Sequence, residues 1–418
     1  MKYNIQNADS KTIDGEYISY INTRAEKGLF EVSEDSVNAV RDSHTVQHIM
    51  DVADRFHENN LEYVFVIGIG GSSLGSKAVV NAYIGVSGVT LKTKILWFES
   101  VSPRDIAEIK SIVNYTKDKT SIAVLVISKS GGTTETLANA SAILTICEEK
   151  WCDFGDRVVA ITNEDSNLHR WADEYGAETI FIRKIIGGRF SLFTAVTLLP
   201  LALLDLSIKD FISGGIDAVE KNSKDSFCVK SSEVFFGAYN NNQKIIDTFV
   251  FGSELEDIGK WYRQLIGESL GKERDIDNKI VNTGILPTVS VGSNDLHSVG
   301  QLYLGGPKDK ITLFLSAKYA SDAVIPRHSI LKKTDFISGK TTNEINNAIL
   351  NGTLSAYTEH NLPFISVELE QNILHELGFL MQSLLVQTMI LGHMMRVNAF
   401  NQPNVESYKI VTKKILER

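Results

Sequence analysis

The sequence predicts an α/β protein built from two doubly wound units, each with three α/β/α layers around a mainly parallel sheet. Short apolar runs rich in β-branched residues alternate with helical patterns along most of the chain. The runs lack polar alternation, which is typical of parallel strands covered by helices on both faces. The chain has 418 residues, too many for one ordinary core, so we expect two units of similar size.

The first unit is predicted over residues 46–206, behind an N-terminal helical segment at 1–45. Helical patterns separate its strand candidates, which are 63–67, 95–98, 122–127, 158–161 and 179–182. The stretch 190–206 is the most apolar, but Pro200 interrupts it and it is shorter than the ~20 residues of a bilayer span. We therefore expect a buried helix there.

The second unit is predicted over residues 231–395, after a helical connection at 207–230. Its strand candidates are 245–251, 280–283, 289–291, 311–316 and 364–367, and its helical patterns are 254–266, 296–303, 342–350 and 371–395. A C-terminal tail at 396–418 carries a predicted helix at 404–417, with Pro403 at its start as the first helical position favours.

Charge and cysteine content exclude several classes of protein. The net charge of −9 and the pI near 5.6 argue against a nucleic-acid or anionic-membrane surface, so we expect neither partner. Cys147, Cys152 and Cys228 are odd in number and lack ligand spacing, which predicts neither a disulfide framework nor a metal site. The N-terminus lacks an apolar signal region, and together these features predict a cytoplasmic protein.

Two strand-to-helix junctions have the composition of phosphate-binding loops. Residues 68–75 read Gly-Ile-Gly-Gly-Ser-Ser-Leu-Gly, and residues 128–135 read Ser-Lys-Ser-Gly-Gly-Thr-Thr-Glu. Glycines let backbone N–H groups approach an anion, hydroxyls add donors, and a helix start directs its positive dipole end at the same point. Each loop follows a strand, so we expect them on adjacent strands, sharing a ligand beyond the carboxyl ends.

The first loop matches neither common nucleotide-binding motif. A dinucleotide fingerprint needs glycine where Ser73 stands and an acidic residue ~20 positions on, whereas Glu99 is further away. A P-loop needs lysine before Ser or Thr, but Ser76 precedes Lys77. Taken alone, this loop is equally compatible with an anion site and with a simple tight turn.

The second loop favours phosphate more strongly, because it offers donors for three oxygens. Ser128, Ser130 and Thr133 bring hydroxyls, and the backbone at Lys129 and Gly131 brings N–H groups. The alternative is an ordinary helix N-terminus in which Glu135 completes a capping box.

Three further motifs are weak individually. Gly187-Gly188-Arg189 places a cation before the apolar helix, Glu268 lies between two glycines near a helix end, and His297 falls in the first turn of a predicted helix. Each has a plain alternative, respectively a surface turn, a solvated glutamate and a capping neighbour.

As a set, these motifs resemble the phosphoglucose isomerase family, whose two domains have the sugar-isomerase (SIS) fold. The resemblance runs from about Leu61 to Lys409. The matching motifs occur in family order: G-I-G-G-S-S-L-G, S-K-S-G-x-T-T-E, G-G-R-F-S, Q-x-x-G-E-S-x-G-K, D-L-H-S-x-G-Q and Phe400-Asn-Gln-Pro-Asn-Val-Glu-Ser-Tyr-Lys409. The chain departs from the family at Gly132, Asn401 and Asn404, none of which removes a proposed catalytic group.

The resemblance implies reversible isomerisation of glucose 6-phosphate to fructose 6-phosphate in glycolysis and gluconeogenesis, without a cofactor or a metal. It makes Glu268 the proton-transferring base, Arg189 the stabiliser of the enediolate, and His297 with Lys409 the ring-opening pair. The histidine comes from the neighbouring subunit in this family, so a homodimer with shared active sites is implied. The implied substrate-binding residues are Gly71, Ser72, Ser128, Lys129, Ser130, Thr133, Gln264 and Gln402.

Two alternatives stay open at this level. A related isomerase could act on mannose or amino-sugar phosphates, because a phosphate cradle does not read the hydroxyl pattern of a sugar. The second alternative is a non-catalytic SIS protein that senses sugar phosphates, although such a sensor would not need a base, a ring-opening pair and a cation together.

Overall fold

The computed structural model describes residues 1–58, 60–85, 91–318, 322–327, 335–370 and 373–417. Two five-stranded sheets and one two-stranded hairpin are connected and covered by helices. The strands are β1 (Lys2–Gln6), β2 (Tyr63–Ile67), β3 (Lys94–Phe98), β4 (Ile122–Ile127), β5 (Val158–Thr162), β6 (Glu178–Phe181), β7 (Ile245–Phe251), β8 (Lys272–Arg274), β9 (Ile280–Thr283), β10 (Leu286–Gly292), β11 (Lys310–Ala317) and β12 (Phe364–Leu369).

The α-helices begin behind β1 and end at the C-terminal tail. They are α1 (Gly15–Lys27), α2 (Ser43–His57), α3 (Leu74–Ile84), α4 (Pro103–Tyr115), α5 (Thr134–Trp151), α6 (Asn167–Tyr175), α7 (Ala195–Leu203), α8 (Ile208–Glu220), α9 (Phe227–Asn240), α10 (Glu256–Leu270), α11 (Gly300–Gly305), α12 (Thr342–Glu359), α13 (Ile373–Met394) and α14 (Glu406–Leu416). Short 3-10 turns lie between them, including Gly70–Ser72, Gly188–Phe190, Asn294–His297 and Pro403–Val405.

The first sheet has the strand order β3-β2-β4-β5-β6, and every pairing is parallel. All six residues of β4 are buried, as the absence of polar alternation predicted. Because β2 pairs directly with β4, the loops that follow them emerge side by side at the carboxyl edge. The predicted placement of the two loops on adjacent strands is thus confirmed.

The second sheet has the order β1-β12-β11-β7-β10 and is parallel except for its edge strand β1. A helical segment was expected over 1–45, but Lys2–Gln6 pairs antiparallel with β12. The physical reason is a partner more than 350 residues away in sequence, Glu368 opposite Lys2 for example, which no local pattern reveals. The helical parts of that segment are α1, a 3-10 helix at Ser33–Arg41 and the start of α2.

Two predicted elements differ in pairing or continuity from the observed ones, and a third begins at residues that are not described. The strand expected at 280–283 exists as β9, but it pairs only with β8 in a mostly exposed hairpin rather than joining the sheet. The helix expected at 296–303 is divided into a 3-10 turn and the short α11. Residues 371 and 372, the start of the helix expected at 371–395, lie outside the described residues.

Two apolar helices form the centre of the molecule. Every residue of α7 is buried, in agreement with the buried helix predicted there. Within the described part of the chain, α13 alone has the length and apolar composition of a membrane span, and 83% of its most apolar window is buried inside the protein. It packs against α8, where a Cβ on Gly378 would lie 2.0 Å from the carbonyl oxygen of Phe211. Glycine therefore permits the close approach of these two helices.

Candidate active site

The first loop, residues 68–75, is joined backbone to backbone with the turn that carries Arg189. A Cβ on Gly71 would lie 2.2 Å from the carbonyl carbon of Gly188, so only glycine fits this contact. The Ser191 hydroxyl donates to the carbonyl oxygens of Gly71 at 3.2 Å and Gly188 at 2.6 Å. Gly70, with φ of +59°, packs against the amide of Gln264. The loop is thus fixed between two other site segments.

A partly exposed acidic residue holds the base of this loop. Glu99, at the end of β3, accepts hydrogen bonds from the Ser73 hydroxyl at 2.7 Å and from Lys77 Nζ at 2.7 Å. Lys77 is therefore engaged with Glu99. Ser72, predicted to contact the sugar, makes no side-chain hydrogen bond to any described residue, and its hydroxyl is available to a ligand.

The second loop, residues 128–133, leads directly into α5. The buried Ser128 hydroxyl lies 3.0 Å from the Thr133 hydroxyl, so the two predicted phosphate contacts are neighbours. Thr133 is the N-cap of α5, but its side chain makes no capping hydrogen bond, and the capping box considered from sequence is not formed. The N–H groups of the first turn of α5 thus remain free for an anion.

Lys129 brings the second loop close to Arg189. Its ammonium donates to the carbonyl oxygen of Lys184 at 2.9 Å. Burial, and to a lesser extent the positive charge of Arg189, lower the pKa of Lys129. Ser130 is exposed at the loop tip, where its hydroxyl accepts from the N–H of Gly132 at 3.4 Å. A cluster of positive charge therefore borders the loop that is predicted to bind phosphate.

Arg189 is the centre of the site. Arg189 is only 3% exposed. All three nitrogens of its guanidinium donate hydrogen bonds to residues of α10 or of the C-terminal segment. Burial lowers the pKa of Arg189, and the nearby Glu268 carboxylate partly opposes this shift. An arginine remains a cation at neutral pH even so. Its acceptors are Ser269 Oγ at 2.7 Å, Glu268 Oε2 at 3.2 Å, Gln402 Oε1 at 2.8 Å, the Ala399 carbonyl at 2.5 Å and the Asn401 carbonyl at 3.2 Å.

Glu268 occupies the last turn of α10 and faces the opening of the site. Its side chain is 35% exposed, so a ligand can reach it. One carboxylate oxygen accepts from Arg189, and the other accepts from Gln264 Nε2 at 3.0 Å. Gln264 precedes Glu268 by four residues, one helical turn, which is why both side chains lie on the same helix face.

Lys272 was quoted within a motif but given no role by sequence analysis. Its side chain is buried, and its ammonium donates to the carbonyl oxygens of Glu268 at 2.5 Å and Asn401 at 2.6 Å. Ser269, the backbone of Asn401 and the Ser73–Glu99 pair were also missed. The single sequence signal for Lys272 was its position directly after Gly271, where a helix end exposes carbonyl groups that cations satisfy.

Two predicted catalytic residues make no hydrogen bond with the described residues of this cluster. Lys409 is 49% exposed on α14 and donates to Glu406 at 2.7 Å. The hydrogen bond to Glu406 raises the pKa of Lys409, and burial opposes this shift. The negative charge of Glu268 adds to the rise. His297 is exposed at the end of its 3-10 turn, and its imidazole makes no hydrogen bond or ion pair with any described residue. Hydrogen bonds connect Arg189, Glu268, Gln264 and Gln402 with one another, and among the described residues none of these bonds involves His297.

The departures at Asn401 and Asn404 leave this arrangement intact. Asn401 serves through its backbone carbonyl, and Asn404 donates from its amide to Glu273 at 2.9 Å. At Gly132 the nearest atom to a Cβ would be Ser130 Oγ at 4.0 Å, so the site has room for a larger residue. Across the described residues, no group of three or more His, Cys, Asp or Glu is arranged to hold a metal ion.

The fold defines a class, the SIS-domain fold that solved phosphosugar isomerases also have. A solved tagatose-6-phosphate ketose/aldose isomerase from Escherichia coli shares the fold with a TM-score of 0.52 at 13% identity, covering 90% of this chain and 97% of its own. A solved glucose-6-phosphate isomerase from Chlamydia trachomatis D/UW-3/Cx superposes with a TM-score of 0.78 at 20% identity, covering 98% of this chain and 80% of its own.

Sequence relatives narrow this class to one family. A glucose-6-phosphate isomerase from Clostridium novyi (strain NT) is 31% identical over 364 residues, 84% of this chain and 79% of that protein. One from Campylobacter jejuni is 29% identical over 401 residues, 93% of this chain and 92% of that protein. Residues 31–418 match the phosphoglucose isomerase family. The chain belongs to the phosphoglucose isomerase family, and its activity is the interconversion of glucose 6-phosphate and fructose 6-phosphate.

Proposed function

We propose that Glu268 is the base that moves a proton between C1 and C2 of the open-chain sugar phosphate. An aldose and a ketose differ by one proton on adjacent carbons, so one carboxylate can remove it and return it. The observation that carries the assignment is a reachable carboxylate held from both sides, by Arg189 and by Gln264. A positioned base of this kind contributes ~10² to 10⁴ in rate.

Arg189 stabilises the enediolate intermediate, which is anionic and planar. The guanidinium is buried and held by five hydrogen bonds, so it does not need to reorganise when negative charge develops beside Glu268. Donors fixed in this way are worth on the order of 3 to 4 kcal/mol each in transition-state stabilisation.

The loop at 128–133 binds the phosphate, and the first loop supports the sugar. In support of the first assignment, Ser128 and Thr133 adjoin the free N-terminus of α5, and Lys129 and Arg189 add positive charge. Gly71 and Ser72 line the sugar side together with Gln264 and Gln402. The Oε1 atom of Gln264 is buried without a hydrogen-bond partner among the described residues, which leaves an acceptor for a sugar hydroxyl.

His297 and Lys409 open the sugar ring, with His297 supplied by a second subunit of a homodimer. His297 is exposed and makes no hydrogen bond or ion pair with any described residue, which supports this arrangement, because a residue that serves the neighbouring site need not contact its own. The helix α14 is exposed along its length and carries the apolar residues Tyr408, Val411 and Ile415 beside Lys409, which supports contact with another subunit. The cytoplasmic location inferred from sequence stays a prediction.

The base assignment is tested by Glu268→Gln, which keeps the shape of the side chain and removes its basicity. Conversion of fructose 6-phosphate is followed through a coupled dehydrogenase. We expect kcat to fall at least ~10²-fold while phosphate binding persists. Glu256→Gln, on the same helix and paired with Lys260, is the matched control and should keep wild-type kcat. Equal activity of Glu268→Gln and wild type would contradict the assignment, and binding without turnover by wild type would favour a sensor.

Shared sites are tested by mixing two inactive variants. Each of His297→Ala and Glu268→Gln homodimers should have little activity, but a mixed dimer contains one site with both residues intact. We therefore expect partial recovery of kcat in proportion to the mixed dimer formed. Inactive heterodimers, verified by tagged purification and by light scattering, would exclude a shared site.

A further inference from the structure

We propose that Lys272 is a positioning residue, which holds the Glu268 main chain and the C-terminal segment together so that Glu268 stays against Arg189. The proposal rests on the assignment of Glu268 as the base. It assigns a role to a buried cation that the reaction itself does not require.

The geometry of Lys272 joins two segments that are far apart in sequence. Lys272 is the first residue of β8, directly after the end of α10, and its ammonium bridges the carbonyl oxygens of Glu268 and Asn401. Arg189 donates to that same Asn401 carbonyl and to the Glu268 side chain. Glu268 is therefore fixed at two points, its main chain by Lys272 and its side chain by Arg189, and both cations share one anchor in the C-terminal segment.

Stability alone does not explain a charge at this position. The Lys272 side chain is only 6% exposed and faces Arg189, so the ammonium bears both a desolvation cost and repulsion. Burial is the larger cause and Arg189 the second, and together they lower the pKa of Lys272 to about 8, with Glu268 opposing. A methionine of similar length would fill the space without these costs. What the ammonium adds is a pair of directed, charge-assisted hydrogen bonds.

Two pH effects of opposite sign follow from this lowered pKa. Above about pH 8 the folded protein releases the Lys272 proton, whereas the unfolded chain keeps this proton up to about pH 10.5. The contribution of Lys272 to the free energy of unfolding therefore rises with pH in that interval. The neutral amine forms weaker hydrogen bonds, so kcat should fall over the same interval. The charged groups that face Lys272 are Arg189 from the 3-10 turn and Glu268 from α10, while the C-terminal segment presents a carbonyl.

The test compares Lys272→Met and Lys272→Arg with a matched control elsewhere in the chain. Lys150 also uses its ammonium to satisfy backbone carbonyls, Val113 at 2.6 Å and Asn114 at 3.0 Å, at the far end of α5. For Lys272→Met we expect kcat to fall ~10- to 100-fold with KM for fructose 6-phosphate changed less than ~3-fold, since a misplacement of about 1 Å can cost ~10² in rate. Lys150→Met should leave both constants near wild type.

The pH profile separates positioning from a merely structural role. Wild-type kcat should decline above about pH 8, whereas Lys272→Arg, which stays charged, should retain its kcat at pH 9. The proposal is overturned if Lys272→Met keeps wild-type kcat, or if the Arg variant follows the wild-type alkaline decline. If Lys272→Met does not fold, the pH profile of kcat for Lys272→Arg tests the proposal. This outcome can be distinguished from failure of the base assignment, because in that case Glu268→Gln would be as active as wild type.

Discussion

At the scale of single residues, Arg189 illustrates how a side chain without a strong motif becomes the centre of a site. In sequence it follows two glycines and precedes an apolar helix, which is equally typical of a surface turn. In the fold its five hydrogen bonds join the end of α10 to residues 399–402. The neighbouring Phe190 packs against Phe400 with the rings tilted and their centroids 5.0 Å apart. Arg189 is buried because these partners, which are distant in sequence, pack around it.

We expect Arg189→Lys to lower kcat ~10²-fold or more. A lysine carries the same charge but has one nitrogen, and it cannot reach the Ser269 hydroxyl, the Gln402 amide and the Ala399 carbonyl together. Steady-state kinetics with fructose 6-phosphate give the measurement. Arg183→Lys is the matched control, because Arg183 pairs with Asp42 at the surface. Equal losses in the two variants would mean that the loss is a general effect of replacing arginine by lysine and does not reflect the Arg189 hydrogen bonds.

At the scale of elements, the two glycine-rich loops have different physical roles. The second loop leaves hydroxyls and the N-terminus of α5 open, as an anion site requires. The first loop uses its glycines for contact with protein, Gly71 with Gly188 and Gly70 with Gln264. The loops look alike in sequence because glycine serves close approach to a ligand and close approach to a neighbouring backbone equally well.

Gly71→Ala and Gly132→Ala should therefore behave in opposite ways. A methyl group at 71 would overlap the Gly188 carbonyl, so we expect ~1–3 kcal/mol of destabilisation and a large loss of activity. At 132 the space is open, and we expect unfolding free energy and kcat within error of wild type. Urea denaturation and steady-state kinetics provide both readouts. A stable, active Gly71→Ala enzyme would show that the first loop and the Arg189 turn separate at no cost.

At the scale of the whole molecule, the two predicted units share one continuous core. It includes Val64 and Leu125 of the first sheet, Ile311 and Val367 of the second, and Leu384 of α13 between them. Smaller separate clusters lie on the outer faces of the two sheets, around Phe65 and Phe249. Since the central helices pack against both sheets, we expect the chain to unfold as one cooperative body rather than as two domains.

Leu384→Ala tests this cooperativity, because Leu384 is fully buried in the shared core. The change should cost ~2–5 kcal/mol. Amide hydrogen exchange, measured at one fixed protein concentration, should show the same loss of protection in β4 and in β11. Leu137→Ala, at a site 40% exposed on α5, is the control and should leave both strands unchanged. A loss confined to β11 would show that the two units unfold independently.

By itself, the sequence determined the elements and the chemistry they carry. Buried parallel strands follow from continuous apolar runs such as 122–127, and the loops follow from glycine and hydroxyl residues whose conformational and donor properties are local. The motifs around Glu268 and Arg189 were weak individually, and only the resemblance of the whole set of motifs implied roles for these two residues. The two loops could be placed side by side, because each follows a strand. Tertiary structure decided the contacts between segments distant in sequence: β1 against β12, Gly71 against Gly188, and Lys272 between Glu268 and Asn401. Such contacts depend on which surfaces the folded chain brings together and on how much water those surfaces exclude. A local sequence pattern predicts neither of these two properties.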